Sequence, residues 1–420
     1  MKIELFFKQH QIKLNNKKLV IAASGGPDSM ALLDMLNELR KSQNFSLIVA
    51  HFDHQLRVAS QKETELLTEY CHSHNLPLAK GVWLEKEQPR TGIEAAARHF
   101  RYAFLSQVVA QYQADYLLTA HHGDDLLENI LLKFIRSGNP QEMNSLQAVG
   151  KMHGTALLRP LLSTSKAELL EYDQQHHIAF IEDETNAEDD TMRNRLRHHV
   201  VPLLKKENSH LLENALRYSD DEKVLTALAD EKVAEIGRPK RFLDQAYRIK
   251  GEALLQLDQR QRAYFWQNFI WQTWHKRCSH YLTGYNLRLY QKYYYLWPQK
   301  LLLRQEPKVV RAEEEFTFRD HEFILSVVEQ PLPLIGDFWS DEHEFKIASL
   351  PAGSKLQLQN GQHAKAKKMF AQAAIPNELR SLCLAVFNQK NQAIFVEKCY
   401  RDQRWIENAQ HYYLYRLKKE

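Results

Sequence analysis

A chain of 420 residues is too long for one ordinary hydrophobic core and long enough for two or three domains. Its 44% apolar and 26% charged content is that of a globular protein, and no apolar run approaches the roughly 18 residues that cross a bilayer. The first residues, Met1-Lys2-Ile3-Glu4, lack the sections of a secretion signal, which sets the expectation of a cytoplasmic protein with no membrane partner. Four cysteines, Cys71, Cys278, Cys383 and Cys399, form no CxxC pair, which argues against a disulfide framework or a cysteine-rich zinc site. The net charge of +4 is unevenly spread: from Pro351 onward 12 Lys plus Arg stand against 5 Asp plus Glu, while the first 350 residues carry 44 against 47. A basic tail on a slightly acidic body suits a polyanionic partner, although a solvated basic surface explains the charge equally well.

Through the first 200 residues, apolar runs of strand length alternate with helical patterns. Lys18 to Ala23 precedes Met30 to Arg40; Leu47 to Phe52 precedes Lys62 to His74; Leu78 to Leu84 precedes Ile93 to Gln111; Tyr116 to Ala120 precedes Asp125 to Arg136. Leu47-Ile48-Val49-Ala50 is apolar on both faces, as in a parallel strand covered by helices on each side. The pattern predicts a doubly wound α/β sheet, Rossmann-like, whose ligand sits beyond the carboxyl ends of the strands. After Pro202 helical patterns dominate to about Trp297, and Glu329-Gln330-Pro331-Leu332-Pro333 reads as an extended linker. A small basic α+β segment closes the chain, with a hairpin at Asn360-Gly361, a helix over Lys365 to Ala374, and strands over Leu382 to Phe387 and Ala393 to Lys398. The expected domains are 1–205, 206–325 and 326–420.

The first strand ends in Ser24-Gly25-Gly26-Pro27-Asp28-Ser29, with a helix directly behind. Glycines let the backbone expose its amides and the helix start adds unpaired N–H groups, so the turn can cradle phosphate. Pro27 suits a first helical position. Asp28 stands where a Walker A loop would carry lysine, which points away from kinase-type transfer of the γ-phosphate. The second strand ends in His51-Phe52-Asp53-His54-Gln55-Leu56-Arg57; with no third ligand at a zinc-like spacing, neutral imidazoles at a nucleotide pocket are the better reading, and Arg57 is placed to reach a phosphate. After the fourth strand, His121-His122-Gly123-Asp124-Asp125-Leu126-Leu127-Glu128 puts Asp124, Asp125 and Glu128 on one face of a helical start. Acidic residues there also favour the helix dipole, but three carboxylates exceed what capping requires; they suit Mg²⁺ or an ammonium group. Between them, Glu94-Ala95-Ala96-Ala97-Arg98 and Arg101-Tyr102 form a helix in which Arg98 is placed to bind an anion. The aromatics Tyr264, Phe265, Trp266, Trp271 and Trp274 have a helix-like spacing that favours core over base stacking.

The SGGxDS loop resembles that of N-type ATP pyrophosphatases. Together with the His-rich second strand end, EAAAR followed by RY, and AHHxDDxxE, it resembles the tRNA(Ile)-lysidine synthetases. Arg159-Pro160-Leu161-Leu162, Asp183-Glu184-Thr185-Asn186, Arg193-Asn194-Arg195-Leu196-Arg197 and the tail segment Lys367-Lys368-Met369-Phe370 extend the similarity. Asn129, and Glu184-Thr185 before Asn186, depart from the family's usual residues and keep hydrogen-bonding capacity. The resemblance implies that ATP, with Mg²⁺, adenylates C2 of the wobble cytidine in the CAU anticodon of tRNA(Ile), and that L-lysine then displaces AMP. It implies that Ser24, Gly25, Gly26, Pro27, Asp28, Ser29, His51 and Arg98 bind ATP, with Asp28 assisting through Mg²⁺. Asp125 and Glu128 hold the lysine and, with Asp28, are the catalytic residues; which carboxylate acts as base is left open. Arg193, Asn194, Arg197, Lys365, Lys367 and Lys368 are the expected tRNA contacts, and a homodimer is one assembly it allows. Thiolation enzymes with the same loop typically use paired cysteines, and GMP synthetase carries an amidotransferase domain; neither feature is present. A catalytically silent RNA-binding scaffold, or modification of another RNA, are the competing functions.

Overall fold

The computed structural model describes residues 2–55, 60–84, 88–89, 91–143, 146–182, 188–300, 306–404 and 406–417. Arg57, the Glu94 side chain and the Asp183 to Asn186 segment lie outside them. Two compact units divide at 228/229.

The first unit opens with helix α1 (Lys2–Gln9), then β1 (Lys17–Ala22), α2 (Pro27–Ser42), β2 (Phe45–Asp53), α3 (Ser60–Ser73), β3 (Leu78–Val82), α4 (Ile93–Tyr112), β4 (Tyr116–Thr119) and α5 (Gly123–Arg136). A short α6 (Pro140–Met143), the hairpin β5 (Val149–Met152) and β6 (Thr155–Leu158), α7 (Lys166–Gln175), α8 (Met192–Arg195) and α9 (Val201–Glu207) follow, and the long α10 (Leu211–Ile236) runs across the division into the second unit. The strand order is β3-β2-β1-β4-β6-β5, parallel except for the edge strand β5. This is the doubly wound sheet that the alternating runs predict.

Period-two alternation sorts the strand side chains between two helical layers. Leu19, Ile21, Leu47 and Val49 point into a core with α1, α2, α3 and α7, while Val20, Ile48, Ala50 and Leu117 meet Leu105, Val108 and Val109 of α4. Leu19, Val20 and Ile21 are each 0% exposed, so truncating such a side chain to Ala costs about 2–5 kcal/mol. The chain winds outward from β1 to β3 and then returns to β4 on the other side. The topological switch point thus lies between β1 and β4, and in open α/β sheets ligands bind at the carboxyl ends beside such a point. The segments after β1 and β4 carry SGGxDS and the acidic cluster.

The second unit holds more strand than its sequence suggests. Residues Lys240–Leu243, Ala246–Lys250, Tyr293–Pro298 and Tyr285–Tyr290 form an antiparallel sheet in the region read as helical. Its aromatic run Tyr293-Tyr294-Tyr295-Leu296-Trp297 is open to either period, and tertiary packing selects the strand. Helix Gln259–Trp274, capped by Asp258, buries Phe265 and Trp266 against that sheet, whereas Trp271 is exposed under the Arg277 guanidinium. Two further antiparallel sheets, of five and four strands, share a core through Phe323, Phe338, Phe345, Val386 and Phe395. Glu329 to Pro333 is not a domain linker. It joins strands His321–Ser326 and Leu334–Ser340, which both pair with Gln410–Arg416, so the expected boundary at 325/326 falls inside a strand. The hairpin Lys355–Gln357 with His363–Lys365, helix Ala366–Gln372, and strands Leu384–Phe387 and Ala393–Val396 stand as expected. Among the described residues no helix is long and apolar enough to cross a membrane.

Candidate active site at the carboxyl edge of the sheet

The loop after β1 turns on Gly25, whose φ of +89° is strained for a side chain, and whose added Cβ would meet Glu63 Cβ at 3.0 Å. Gly26 caps α2 in extended conformation and Pro27 occupies its first turn, where no N–H is required. At the centre of the turn sits the Ser29 hydroxyl, which accepts from the Ser24 and Gly25 amides at 3.2 Å each and donates to the Gly26 carbonyl at 2.9 Å. The Ser24 and Gly25 amides therefore converge on one point. A second tie, from the Ile181 amide to the Gly25 carbonyl at 3.0 Å, fixes the loop from outside.

Asp28 leans out of this turn. Its Oδ1 accepts from Lys166 Nζ at 2.7 Å and its Oδ2 lies 3.7 Å from His122 Nε2. Lys166 opens α7, and its backbone amide donates to Asp124 Oδ2 at 2.9 Å. The other oxygen of Asp124 takes the Lys205 ammonium. Asp124, grouped by its spacing with Asp125 and Glu128, thus ties α5 to α7 and α9. It is not part of an open carboxylate cluster.

Asp125 and Glu128 face the other way. Gly123 lets the start of α5 close on the Leu162 and Thr164 carbonyls, each 3.2 Å from where its Cβ would stand. The Asp125 carboxylate accepts from the His122 amide at 3.1 Å, a local cap that also fixes its direction. Arg193 donates from Nη2 to Asp125 at 2.7 Å and from Nε to Glu128 at 2.9 Å; Arg197 grips Glu128 with Nε at 2.7 Å and Nη2 at 2.9 Å. Burial pushes the Asp125 carboxyl up, but the His122 and Arg193 charges outweigh it and hold the group below its usual range. For Arg197, burial opposes the charge, while Glu128 and Asp125 more than compensate and raise it. The two arginines come into register because α8, whose cap is Thr191, runs into a π-turn over Leu196–Val200, a geometry often found at functional sites. Arg193 and Arg197 are therefore partners of the carboxylates and not a free cationic face. The Asn194 side chain is likewise engaged, donating to the Glu188 carbonyl at 2.7 Å.

The remaining expected residues divide. His51 is 1% exposed, and both ring nitrogens are taken, Nδ1 by the Ala23 carbonyl at 3.0 Å and Nε2 by Thr64 Oγ1 at 2.9 Å. Burial lowers its pKa and keeps it neutral. The ring braces β1, β2 and α3 behind the loop and does not present a nitrogen to a nucleotide. Arg98 is exposed, with its guanidinium 4.9 Å from the Tyr102 ring centre. In the second unit, Lys365, Lys367 and Lys368 are exposed together at the start of helix Ala366–Gln372. Sequence reasoning missed Lys166, which lies 138 residues from Asp28 and belongs to no recognisable spacing. Only its position just after the Ser165 cap offers a hint.

Loop and acidic pair meet through His122, whose Nε2 stands 3.7 Å from Asp28 and 3.5 Å from Asp125. The loop and the acidic pair thus share one wall. The PP-loop domain matches residues 1–204. Over 429 residues the chain is 44% identical to the tRNA(Ile)-lysidine synthase of Lactobacillus johnsonii, covering 99% of both chains. It is 28% identical to that of Enterococcus faecalis, over 94% of this chain and 92% of the relative, and 33% identical to that of Geobacillus kaustophilus, over 56% and 52%. The chain belongs to the tRNA(Ile)-lysidine synthase family. As a member it is an ATP-using PP-loop ligase.

Proposed function

We propose that the chain joins lysine to C2 of the wobble cytidine in the CAU anticodon of tRNA(Ile), using ATP and releasing AMP and pyrophosphate. The observation that carries this reading is the shared wall at His122: the C2 oxygen of the cytidine must take AMP from the α-phosphorus of ATP, releasing pyrophosphate, and the amine must then attack the C2 carbon beside it and release AMP, so the two sites have to adjoin. The C2 carbonyl oxygen is a poor leaving group until AMP is attached to it. The amides that converge on Ser29, with the start of α2, hold the β and γ phosphates, and the α-phosphate is passed to the cytidine oxygen.

Magnesium fits Asp28. Mg²⁺ sites commonly combine one or two carboxylates with substrate phosphate oxygens, and Asp28 is a carboxylate at the mouth of the cradle whose side chain is 28% exposed. Bound there, the ion would neutralise phosphate charge. Among the described residues no group of three His, Cys, Asp or Glu forms a cage that would hold a metal without the nucleotide.

The lysine ε-amine has an unperturbed pKa of about 10.4 and must shed a proton before it attacks. Asp125, held ionised by its cationic neighbours, binds the ammonium, and either Asp125 or Glu128 takes its proton. Glu128, 1% exposed and on the same helix face, completes the site. Arg193 and Arg197 orient both carboxylates, and the incoming ammonium shares acceptors with them. The target base leaves its stack to reach this crevice, at a cost lowered by its place in a single-stranded loop. Phosphate contacts from Lys365, Lys367 and Lys368 position the tRNA. The test separates the two half-reactions: tRNA(Ile) and ATP without lysine should release pyrophosphate and leave adenylated tRNA, and added lysine should then release AMP. Release of AMP without any tRNA-bound intermediate would contradict it.

A further inference from the structure

The second unit carries a cleft of about 490 Å³ that the chemistry above leaves unused. Its walls are Arg248 on strand Ala246–Lys250, the turn Gln291-Lys292 with Tyr293, and Gln372 to Ala374 at the end of helix Ala366–Gln372. These parts are fixed from behind. The Gly251 amide donates to the Lys292 carbonyl at 2.7 Å, Gln291 Nε2 donates to the Ala371 carbonyl at 2.6 Å, and the hydroxyl of the buried Tyr295 donates to the Ala374 carbonyl. Ala374 leaves the helix at a φ of +55°, a region costly for any side chain.

The charge of the cleft is unbalanced. The Arg248 guanidinium lies 4.0 Å from the Phe242 ring centre and 4.6 Å from that of Tyr293, and the Lys398 ammonium stands 5.7 Å from the same Phe242 ring. Such contacts hold a cation in place without neutralising it. Among the described residues no carboxylate pairs with Arg248, Lys292 or Lys398, whereas Arg288 on the neighbouring strand Tyr285–Tyr290 is met by Glu378 at 2.5 Å. A fixed, unpaired guanidinium beside an exposed ammonium suits a phosphate group.

Size and lining extend the ligand beyond phosphate. A lone phosphate needs only the cations, while a cleft of this volume lies in the range that encloses a small molecule. Tyr293 offers a ring for stacking, and the side-chain amides of Gln291 and Gln372 carry the donors and acceptors that match base edges.

We propose that this cleft binds a nucleotide, with its phosphate on Arg248 and Lys292 and its base against Tyr293 and the two glutamines. Two sources supply that chemistry: an unpaired nucleotide of the bound tRNA, and a free mononucleotide. Continuity favours the tRNA, because helix Ala366–Gln372 carries Lys367 and Lys368 in its first turn and the cleft at its end, a span of about 10 Å. That source rests on the reading of those lysines as tRNA contacts.

The experiment measures binding of uridine 5′-monophosphate, uridine and tRNA(Ile) to the full chain and to its Arg248→Met and Lys292→Gln variants. The monophosphate should bind roughly tenfold to a hundredfold tighter than uridine, the worth of a charge-assisted bond. Arg248→Met should lose most of that advantage and Lys292→Gln part of it. If the tRNA is the source, saturating monophosphate weakens tRNA binding to the unmodified chain and has less effect on the variants; if a free nucleotide is the source, the two bind independently. A monophosphate that binds no tighter than uridine overturns the proposal. So does monophosphate affinity unchanged in the variants, which places the nucleotide at the phosphate loop; Lys292 is exposed, so its variant decides even if Arg248→Met does not fold. Variants that weaken tRNA binding while the monophosphate does not bind leave surface phosphate contacts only, and also overturn it. An unmodified chain that binds the monophosphate and no tRNA would sink the reading of the tail lysines and leave the free nucleotide as the source.

Discussion

Lys166 holds its ammonium 2.7 Å from Asp28 Oδ1 while its own backbone amide is bound by Asp124. One residue thereby joins the phosphate loop to the helix that carries the acidic pair. When phosphates enter the loop, this ammonium is a cation already in reach, restrained only by a carboxylate that the nucleotide's own cation can engage. Lys166→Ala should raise the KM for ATP by roughly tenfold or more, with the KM for lysine little changed. Steady-state kinetics with each substrate varied in turn checks this, and an unaltered KM for ATP counts against the role.

Glu128 sits 1% exposed and takes three hydrogen bonds from Arg193 and Arg197. The pairing is asymmetric, because the two arginine side chains are 42% and 33% exposed and can be rehydrated, whereas the carboxylate cannot. Arg197→Ala should therefore lower stability by about 1–3 kcal/mol, more than Glu128→Gln does. Urea denaturation of both variants gives the comparison. In activity the order should reverse, with Glu128→Gln losing lysine transfer and retaining adenylation.

Asp173 on α7 is 1% exposed, and neither carboxylate oxygen has a partner among the described residues. Burial raises its pKa to about 7, with the charges of Asp28 and Asp34 adding and Lys166 opposing. A carboxyl that titrates higher in the folded chain binds its proton more tightly there, so it costs nothing below the unfolded value near 4 and destabilises increasingly as pH rises toward 7. Asp173→Asn should match the unmodified chain in stability near pH 4 and exceed it above pH 7. Thermal melts across that range decide; a gap that does not widen with pH would be inconsistent with a buried, titrating carboxyl.

The tail lysines make an electrostatic claim. Neutralising Lys365, Lys367 and Lys368 together should weaken tRNA binding and spare ATP binding. The slope of log affinity against log salt should become shallower by about one for each lysine that pairs with a phosphate. Filter binding at several salt concentrations measures the slope. Unchanged affinity would return the tail to a solvated surface, a reading supported in part by pairs such as Arg401 with Asp337 and Arg404 with Asp402.

The catalytic sheet was legible because local signals agree there: buried runs such as Leu47 to Ala50 alternate with helices, and Gly25 stands where a positive φ is needed. The acidic pair was legible for the same reason, since Asp125 and Glu128 are three residues apart on one helix. What joins these parts was not. Lys166 and Arg197 reach Asp28 and Glu128 across 138 and 69 residues, and no spacing rule links them. Arg193 and Arg197 read as tRNA contacts because the sequence shows their charge but not the carboxylates opposite. His51 misled differently: a histidine at a strand end suggests a ligand contact, and only the fold reveals that both nitrogens are spent inside. In the second unit, the Tyr293 to Trp297 run carries no period that separates strand from helix, so the helical expectation there gives way to an antiparallel sheet.

Transfer of labelled lysine tests the central claim most directly. Purified protein, ATP and labelled lysine are incubated with tRNA(Ile) bearing CAU or with tRNA(Met), which has the same anticodon. Label on the former, strictly dependent on ATP and absent with Glu128→Ala, is the expected result. No label on tRNA(Ile), or equal labelling of both tRNAs, would contradict the account.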